Sequence, residues 1–369
     1  MGFENCKLIF MFDLLNLNPG AFGLDISDRS LKLAEVKKQG DKLKLSVLSQ
    51  SFLAPGVIER GEVQDTRKLG LAVKNLVSQT KGLTTRHVVV SMPEEKSFLR
   101  VMQMPKMKRK ELKSAIPFEA ANYIPFSVDK VYLGSQLITP IARKADQIEV
   151  LLAALAKTTV DPYVEALRQA KLVPVAFETE SQATARAVIS SHKTARPVFI
   201  IDIGATCTNF STFFGYSLRF ASFIPDSSDQ FTLAISKALK VDRKEAERLK
   251  KAHGLEKVVG VGKKVFDVLT PLVTDFVNQI EKHIDYYQTH SKHEEIFVQG
   301  KEVRKILIWG GGANLKGLAK FLSDETGLIV KKADPVVNIP ERAGNIKSLS
   351  KKNLLPFATA IGLALRNHD

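Results

Sequence analysis

Apolar positions form three strand-like segments at the start of the chain. Phe22–Ile26, Leu31–Lys38 and Lys42–Phe52 are rich in apolar residues, and the polar turn Gln39–Asp41 separates the last two. Over Thr66–Lys81 the apolar residues recur at helical spacing, and a glycine stands just past the end. The pattern therefore predicts that the chain opens with strands followed by a helix.

The next segment alternates between strand and helix patterns. In the order strand, strand, helix, strand, strand, helix, the segments are His87–Met92, Phe98–Met104, Lys108–Ile124, Lys130–Ile138, Gln147–Ala156 and Val160–Lys171. We interpret residues 88–174 as a small inserted α+β subdomain. A helical pattern at Ser181–Ser191 and a polar break at Ser191–Arg196 follow it.

A second series of strands and helices then begins. The strand patterns are Val198–Ile203, Cys207–Phe214, Ser217–Ile224 and Lys305–Trp309. The helical patterns are Asp229–Leu239, Arg243–His253, Lys263–Lys292, a helix from Asn314, and Leu354–Leu365. Asp334–Lys352 is a basic linker. Strands that alternate with helices in this way predict the α/β class.

A weak internal repeat relates the two series. Gly23–Leu31 and Ile201–Asn209 each contain an apolar strand that ends in Asp-Ile, then a short polar turn and another strand. The aspartates Asp25 and Asp202 lie 202 − 25 = 177 residues apart, which is about half the chain. This spacing predicts two related α/β halves that face each other across a cleft and offer hairpin turns to a common ligand.

The two turns have features of phosphate-binding loops. Backbone N–H groups approach a phosphate closely only where side chains are small, as in Gly204–Thr206. The hydroxyls of Thr206 and Thr208 add hydrogen bonds. The carboxylates of Asp25 and Asp202 fit beside phosphates when Mg²⁺ or its water ligands lie between. An ordinary hairpin turn is the alternative interpretation of either motif alone.

A glycine triplet strengthens the interpretation as a nucleotide site. Gly310–Gly312 stand between a strand and a helix, where the backbone can approach a flat ligand or a phosphate. The dinucleotide-binding pattern G-x-G-x-x-G fails because Leu315 occupies its last position. The P-loop pattern fails as well, because Lys264 follows Gly262-Lys263 and the earlier glycine is missing.

The net charge and the cysteine content limit the classes of binding partner and the cellular compartment. Lys and Arg exceed Asp and Glu by 54 − 39 = 15, so the chain could bind an acidic partner or an anionic membrane surface. The alternative is that the positive net charge only reflects an organism whose proteins are generally basic. The basic run Lys106–Lys113 lacks the interleaved aromatic side chains of nucleic-acid platforms, so no nucleic-acid partner is predicted. Cys6 and Cys207 make no disulfide framework and predict a reducing compartment.

Two further segments have competing interpretations. No segment has the run of about 20 mostly apolar residues that a membrane span needs, and the apolar N-terminal segment, residues 1–20, lacks signal-peptide features. Within them, Lys7–Leu17 fits contact with a membrane surface or a partner, or else the gene start is too long and Met11 is the initiator. The other segment is a polar helix end, more typical of a solvated face than of a metal site, with the residues His283, His290, His293, Glu294 and Glu295.

Taken together, these motifs resemble the actin-like ATPase superfamily and, within it, the PilM family of type IV pilus assembly proteins. The similarity runs from about Phe22 to Arg366. The most specific stretches are Ser91-Met92-Pro93, Met104-Pro105, Glu119–Phe126 (EAANYIPF), Asp202–Asn209 (DIGATCTN), Ala246–Lys250 (AERLK), Gly310–Ala313 and Leu355–Leu365.

The resemblance implies an actin-like ATPase fold, with two related α/β halves around a nucleotide cleft. Residues 21–87 and 175–195 would form the first half, 88–174 the inserted α+β subdomain and 196–350 the second half. Residues 351–369 would form a C-terminal helix that returns to the first half, and 1–20 a flexible N-terminal segment.

The resemblance also implies ATP and Mg²⁺ as ligands. Asp25 and Asp202 would contact the metal through water, and Glu178 and Glu180 lie where the superfamily places a carboxylate near the attacking water. The implied ATP-binding residues are Asp25, Ser27, Asp28, Arg29, Ser30, Lys32, Asp202, Gly204, Ala205, Thr206, Cys207, Thr208, Asn209, Glu247, Lys250, Gly310, Gly311, Gly312 and Ala313.

Two departures from the family pattern bear on catalysis. The first hairpin has Ser27 and Asp28 where the family has glycine after Asp-Ile, and Asp226–Asp229 replaces a Gly-Gly pair. Because most donors of such a cradle are backbone groups, we expect ATP to bind. We expect ATP hydrolysis to be weak at most.

The partner implied by the resemblance is PilN, a membrane-anchored pilus protein whose N-terminal peptide binds beside the inserted subdomain in an ATP-dependent manner. Our candidate residues for the wall of that groove are Pro117, Phe118, Tyr123, Ile124, Pro125 and Phe126. The alternative is that Tyr123, Ile124 and Phe126 belong to the core of the subdomain. Other inner-membrane pilus components and self-association are further expectations. The location would be the cytoplasmic face of the inner membrane.

Two other classes of protein compete with this scaffold. One is a cell-division membrane tether like FtsA, which ends in an amphipathic helix after a linker, whereas this sequence ends soon after the apolar pattern Leu354–Leu365. The other is a true kinase or ATPase, for which no substrate-directed carboxylate or sugar-binding insertion is identifiable. The nucleotide-binding scaffold is the function we predict.

Overall fold

The computed structural model describes residues 20–138, 146–256, 259–293 and 302–368. The N-terminal segment singled out in the sequence, as well as Glu294 and Glu295, lies outside these residues. The chain divides into two compact units. The first runs to His192 and adds Tyr216–Arg219 and the segment from Asp334, and the second comprises Lys193–Gly215 and Phe220–Ala333.

The first unit begins with five strands and then mixes strands with helices. In chain order up to His192, they are β1 Phe22–Ser27, β2 Ser30–Gln39, β3 Lys42–Phe52, β4 Ile58–Glu59, β5 Glu62–Val63, α1 Thr66–Gln79, β6 His87–Met92, β7 Ser97–Pro105, α2 Arg109–Ala120, β8 Val131–Ile138, β9 Gln147–Ala156, α3 Lys157–Gln169, β10 Val173–Thr179 and α4 Glu180–Val188.

The remaining elements begin with the second unit and end in the first. They are β11 Thr194–Ile203, β12 Thr208–Gly215, β13 Ser217–Ile224, α5 Ser228–Leu239, α6 Arg243–His253, α7 Val261–His293, β14 Lys305–Trp309, α8 Leu318–Thr326, β15 Ile329–Lys332, β16 Glu341–Arg342, α9 Lys351–Leu354 and α10 Ala358–Leu365. Among the described residues, no helix is both long and apolar enough to cross a bilayer.

The main sheet of the first unit has six strands in the order β10-β6-β1-β2-β3-β16. Because side chains alternate between the faces of a strand, Val88 and Val90 join the core under α1 and α3, while Val89 joins Ala183 and Leu363 on the other face. Helix α10 covers that second face. It comes close because Gly23 has no side chain: a Cβ there would overlap Ala360 and Leu363.

A smaller antiparallel sheet, β7-β9-β8, lies between β6 and α3 in the chain. Helix α2 supplies Leu112 and Ile116 to a core with Met102 and Val150. The predicted insertion, residues 88–174, is therefore larger than this small sheet and its helix, because β6 and β10 pair in the main sheet. The uninterrupted apolar run of β6 is typical of a strand that is covered on both faces.

The second unit contains a five-stranded sheet in the order β13-β12-β11-β14-β15. Strands β11, β14 and β15 run parallel, and β11 and β12 form the antiparallel hairpin that was predicted from the repeat. Helix α7 packs Val265, Leu269 and Val273 at four-residue spacing against the core of this sheet. The fold thus places the ends of β11 and β14 side by side.

Candidate functional site

The turn between β11 and β12 is built to present backbone donors. The Gly204 amide donates to Cys207 O at 3.0 Å, which closes the turn. The carbonyl oxygens of Gly204 and Ala205 accept from the amides of Ser228 (3.0 Å) and Asp229 (3.2 Å) at the start of α5. In a trans peptide the N–H points opposite to the C=O. The amides of Ala205 and Thr206 therefore point away from α5, where a phosphate can approach them.

A side-chain hydrogen bond also fixes the hairpin of β11 and β12, which we call the second hairpin. Thr208 Oγ1 donates to Asp226 O at 2.7 Å, so the start of β12 is tied to the segment before α5. Asp202 pairs in register with Trp309 on β14, which places its side chain next to the glycine triplet. The predicted residues Asp202, Gly204–Asn209 and Gly310–Ala313 are thus brought together within the second unit.

The three glycines of the triplet serve different purposes. Gly310 has φ +84°, and a Cβ there would overlap Asp202 Oδ1 and the backbone of Ile203. A Cβ at Gly312 would overlap the Ile203 side chain. At Gly311, in contrast, φ is −63° and nothing lies within 4 Å of the added atom. The first and third glycines therefore permit packing, while Gly311 borders open space that a ligand can enter.

Helix α6 contributes the pair Glu247 and Lys250. Their side chains lie on one helix face and form an ion pair of 2.7 Å. The Lys250 side chain is only 8% exposed, whereas that of Glu247 is 35% exposed. Burial pulls the pKa of Glu247 upwards, but hydrogen bonds from Lys250 and Thr232 outweigh it and hold the pKa below its usual value. Glu247 is therefore the more accessible of the two to a ligand.

In the first hairpin the predicted residues bond mostly to one another. Asp25 is buried, with Oδ1 accepting from Ser91 Oγ at 3.1 Å and Oδ2 from Lys32 Nζ at 2.9 Å. Ser27 Oγ donates to Ser30 O at 3.0 Å, inside the turn. A carboxylate whose oxygens already bind a lysine and a hydroxyl is a weak candidate for Mg²⁺.

Asp28 has a local partner of its own. Its two carboxylate oxygens accept from the amides of Arg60 and Gly61, each at 3.1 Å. Arg60 has φ +49°, a conformation that few side chains adopt, so these bonds stabilise a strained turn between β4 and β5. The Tyr163 hydroxyl donates to Gly61 O at 3.0 Å, and burial raises the pKa of Tyr163 above its usual range. The charge of Asp28 is thus used in this turn.

The two candidate catalytic carboxylates differ sharply. Glu178 is buried and binds Arg186 through both oxygens, at 2.7 and 2.9 Å, and also pairs with Arg366. Burial opposes ionisation, but the two guanidinium groups outweigh it and lower the pKa of Glu178 to about 2. A carboxylate held in this way is a poor base, and its geometry is that of a structural ion pair. Glu180 begins α4 and is half-buried, so only this one suits the predicted role.

The candidate peptide-binding residues fall into two groups. Ile124 is buried in the core of the small sheet, and Tyr123 packs partly against that core with Arg100 over its ring at 4.9 Å. Phe118 and Phe126, in contrast, are 80% and 54% exposed. Pro117 lies inside α2, and Pro125 is exposed. The exposed aromatic residues are therefore the ones available to a partner.

The histidine-rich helix end has no metal geometry among the described residues. His283 Nδ1 lies 2.8 Å from Gln279 O, and its ring lies 4.4 Å from that of Phe210. No group of three or more potential metal ligands occurs in the described part of the chain. The helix itself, Val261–His293, extends slightly beyond the predicted Lys263–Lys292 at both ends.

Several polar residues of these sites were not predicted from the sequence, among them Ser91, Ser228 and Thr232. Ser91 orients Asp25 from 66 residues away, and Ser228 and Thr232 surround the Lys250 ammonium group. For Ser91 the only signal was its place in the stretch Ser91-Met92-Pro93. For Ser228 the signal is its place in Asp226–Asp229, where the family has a Gly-Gly pair.

The fold defines the class of protein. The chain is similar to the ethanolamine utilization protein EutJ from Carboxydothermus hydrogenoformans, with a TM-score of 0.54 and 14% identity over 94% of this chain and 89% of that one. It is similar to MreB 5 of Spiroplasma citri bound to AMPPNP, with the same score and identity over 92% of this chain and 93% of that one. The fold is that of the actin-like ATPases.

Closer similarities define the family. Residues 23–368 match the family of the type IV pilus assembly protein PilM. The chain is also similar to a protein in the PilM-PilN type IV pilus biogenesis complex, with a TM-score of 0.78 and 27% identity over 95% of this chain and 99% of that one. The chain belongs to the PilM family of type IV pilus assembly proteins.

Proposed function

We propose that this chain is a nucleotide-binding scaffold of type IV pilus assembly that binds the N-terminal peptide of a PilN-like membrane protein. The observation that carries the proposal is the 27% identity, over 95% of the chain, to a protein solved in a PilM-PilN complex. The partner would hold the chain at the cytoplasmic face of the inner membrane, together with other pilus components. Such a scaffold needs no membrane-spanning helix of its own.

Exposed aromatic side chains support a peptide site on the small subdomain. Phe118 and Phe126 leave large apolar surfaces in solvent, and a peptide can bind by seating its own apolar side chains against them. Ile124 and Tyr123 then support this surface from the core side. The site residues that we propose for the partner are therefore Phe118, Pro125 and Phe126, with Pro117 beside them.

Fluorescence polarisation with a labelled N-terminal peptide of the PilN-like protein tests the partner. We expect Phe126→Ala and Phe118→Ala to weaken binding about tenfold or more, since buried aromatic residues dominate such interfaces. Phe52→Ala is the matched control, because Phe52 is 81% exposed elsewhere. Absence of binding to the parent protein would refute the partner, while equal effects of all three variants would refute the site.

ATP with Mg²⁺ is the nucleotide we propose. The amides of Ala205 and Thr206, the open space at Gly311 and the accessible carboxylate of Glu247 support it, and all belong to the second unit. The Asp202 carboxylate would bind the Mg²⁺ ion through water and balance part of its positive charge. The phosphate role of the first hairpin, from Asp25 to Lys32, stays a prediction.

Calorimetric titration of ATP with and without Mg²⁺ tests the nucleotide. We expect binding that Mg²⁺ strengthens, and we expect Asp202→Ala to abolish the effect of Mg²⁺. No heat and no thermal shift at millimolar ATP would overturn the proposal. Turnover should stay far below the roughly 10 per second of a typical enzyme, because Ser27 and Asp28 depart from the family pattern in the first hairpin.

A further inference from the structure

Lys250 is a buried cation with an unusually complete set of partners. Its Nζ lies 3.0 Å from Ser228 O, 2.9 Å from Ser228 Oγ and 2.7 Å from Thr232 Oγ1, in addition to its ion pair with Glu247. Burial lowers the pKa of Lys250, and the neighbouring Glu247 offsets part of that effect. An ammonium group has three N–H donors, so these four acceptors use all of them.

Ser228 connects this cation to the phosphate hairpin. It is the first residue of α5, and its amide donates to Gly204 O at 3.0 Å while its carbonyl and hydroxyl accept from Lys250. The next amide, of Asp229, donates to Ala205 O at 3.2 Å. A continuous chain of hydrogen bonds therefore runs from the α6 ammonium group through Ser228 to the turn that presents the amides of Ala205 and Thr206.

The orientation of those amides depends on this chain. If the start of α5 shifts, the carbonyls of Gly204 and Ala205 lose their donors and the peptide planes are free to rotate. Rotation turns the N–H groups away from the side where a phosphate approaches. A preorganised cradle binds more tightly than one that must be ordered on binding, because the ordering cost has already been met in folding.

We propose that Ser228 is a positioning residue for the phosphate end of the nucleotide, which it serves by fixing the turn between β11 and β12, and that Lys250 acts on that turn by holding Ser228 in place. The proposal rests on the nucleotide-binding function above. It gives a role to Ser228, where the family usually has glycine. It also distinguishes Lys250, which binds Ser228, from Glu247, which is more exposed. Thr232 completes the arrangement, since its Oγ1 donates to Glu247 Oε2 at 2.6 Å.

The chain offers a matched control on the same helix. Lys251 also pairs with Glu247, at 3.2 Å, but its side chain is 74% exposed and makes no contact with Ser228. Lys250→Met keeps the apolar stem and removes the ammonium group, and Ser228→Ala removes one acceptor while leaving the Ser228 backbone bonds. Lys251→Met removes a similar charge from the same helix without breaking the path to the hairpin.

Hydrogen exchange on the full chain without nucleotide gives the first test. In Lys250→Met we expect the amides of Gly204, Ser228 and Asp229 to exchange about tenfold faster, with a smaller increase in Ser228→Ala and none in Lys251→Met. Unchanged exchange of these amides in folded Lys250→Met would overturn the proposal. If Lys250→Met fails to fold, the Ser228→Ala comparison decides in the same way.

Affinities for ATP, ADP and AMP give the second test. A positioning role predicts that Ser228→Ala weakens ATP and ADP about tenfold and AMP much less, because AMP lacks the phosphates beyond the first, and that Lys250→Met weakens ATP and ADP more than it weakens AMP. Equal weakening of all three nucleotides by Lys250→Met, with no effect of Ser228→Ala, would mean that Lys250 acts only as a direct ligand and would overturn the proposal. If the parent protein binds no nucleotide, the proposed function fails, and the exchange result still decides whether the positioning exists.

Discussion

At the scale of single residues, Glu178 has the largest predicted effect on stability. Replacing it by Gln leaves the guanidinium groups of Arg186 and Arg366 in a buried site without a negative charge. Breaking a buried pair in this way typically costs about 3 to 5 kcal/mol. We therefore expect chemical denaturation of Glu178→Gln to show a free energy of unfolding lower by about that amount. Glu165→Gln, at an exposed pair with Arg168, should change it by less than about 0.5 kcal/mol.

The same carboxylate predicts how stability depends on pH. Its pKa falls from 4.5 to about 2 on folding, so the unfolded chain binds the proton more tightly than the folded chain. The resulting contribution, about 3 kcal/mol, is fully present above about pH 4.5 and is lost as the pH falls towards 2. Denaturation curves between pH 6 and pH 2.5 measure it. In Glu178→Gln this part of the acid dependence should disappear; an unchanged slope would contradict the assignment.

Neighbouring glycines of the triplet should respond in opposite ways to alanine. Gly310→Ala places a side chain at φ +84° and against Asp202, and we expect it to lower the free energy of unfolding by about 2 to 4 kcal/mol. Gly311→Ala meets nothing within 4 Å at an ordinary φ, so stability should stay the same or rise by up to about 1 kcal/mol.

Nucleotide binding supplies the second readout for Gly311. Its added methyl group would enter the open space where we propose that the nucleotide lies, so ATP affinity should fall although the fold is intact. Calorimetry on the two variants measures both quantities. If Gly311→Ala binds ATP as well as the parent does, this space is not part of the nucleotide site.

At the scale of elements, the close packing of α10 rests on glycine. A Cβ at Gly362 would overlap the backbone of Ala183 on α4, a contact that no rotamer change relieves. We expect Gly362→Ala to lower the free energy of unfolding by about 1 to 3 kcal/mol, net of the better helix propensity of alanine. Gly20→Ala, where nothing lies within 4 Å, is the control. A neutral Gly362→Ala would mean that α10 can move outward at little cost.

The elements that the sequence predicted well are those with strong local patterns. The strands β6, β9 and β14 and the helix α6 have the bounds that their patterns predicted. Each is either a continuous apolar run or a capped amphipathic helix, and both signals are local. The strand β10, Val173–Thr179, was missed because it contains a proline and owes its structure to pairing with β6, far away in the chain.

Short edge strands were missed for a related reason. The strand β15, Ile329–Lys332, has only four residues, and only Ile329 and Val330 among them are apolar. The helix expected from Asn314 begins at Leu318, after a tight turn around the triplet. Such boundaries depend on packing between the ends of β11 and β14, which no local pattern records.

At the scale of the whole molecule, the hairpin of β11 and β12 could be predicted because turn chemistry is local. Asp202, Gly204 and the glycine triplet were all identified from spacing and residue size. The polar contacts that surround them could not, since Ser91 and Asp25 are 66 residues apart and Ser228 and Lys250 are 22 apart. Only a folded chain shows that Asp25 is paired with Lys32 and that Glu178 is locked by arginines.

The final prediction concerns the relation between the proposed nucleotide and peptide sites. The peptide residues Phe118 and Phe126 belong to the first unit, and the hairpin at Gly204 belongs to the second. If ATP favours the conformation that binds the peptide, thermodynamic linkage requires the peptide to raise ATP affinity by the same factor, which for coupled sites is typically about 5 to 150. Polarisation with and without ATP·Mg²⁺ measures one factor, and calorimetry with and without peptide measures the other.

Gly311→Ala should remove the effect of ATP on peptide affinity while leaving peptide binding itself intact, because Gly311 is far from both aromatic residues in sequence and lies in the other unit. Phe126→Ala should weaken the peptide and leave ATP affinity without peptide unchanged. If ATP raises peptide affinity and the peptide raises ATP affinity by the same factor, the chain is a scaffold whose binding of its partner is promoted by ATP. Peptide binding that is indifferent to ATP would instead make the nucleotide a fixed structural ligand, because a ligand with equal affinity for two states shifts neither.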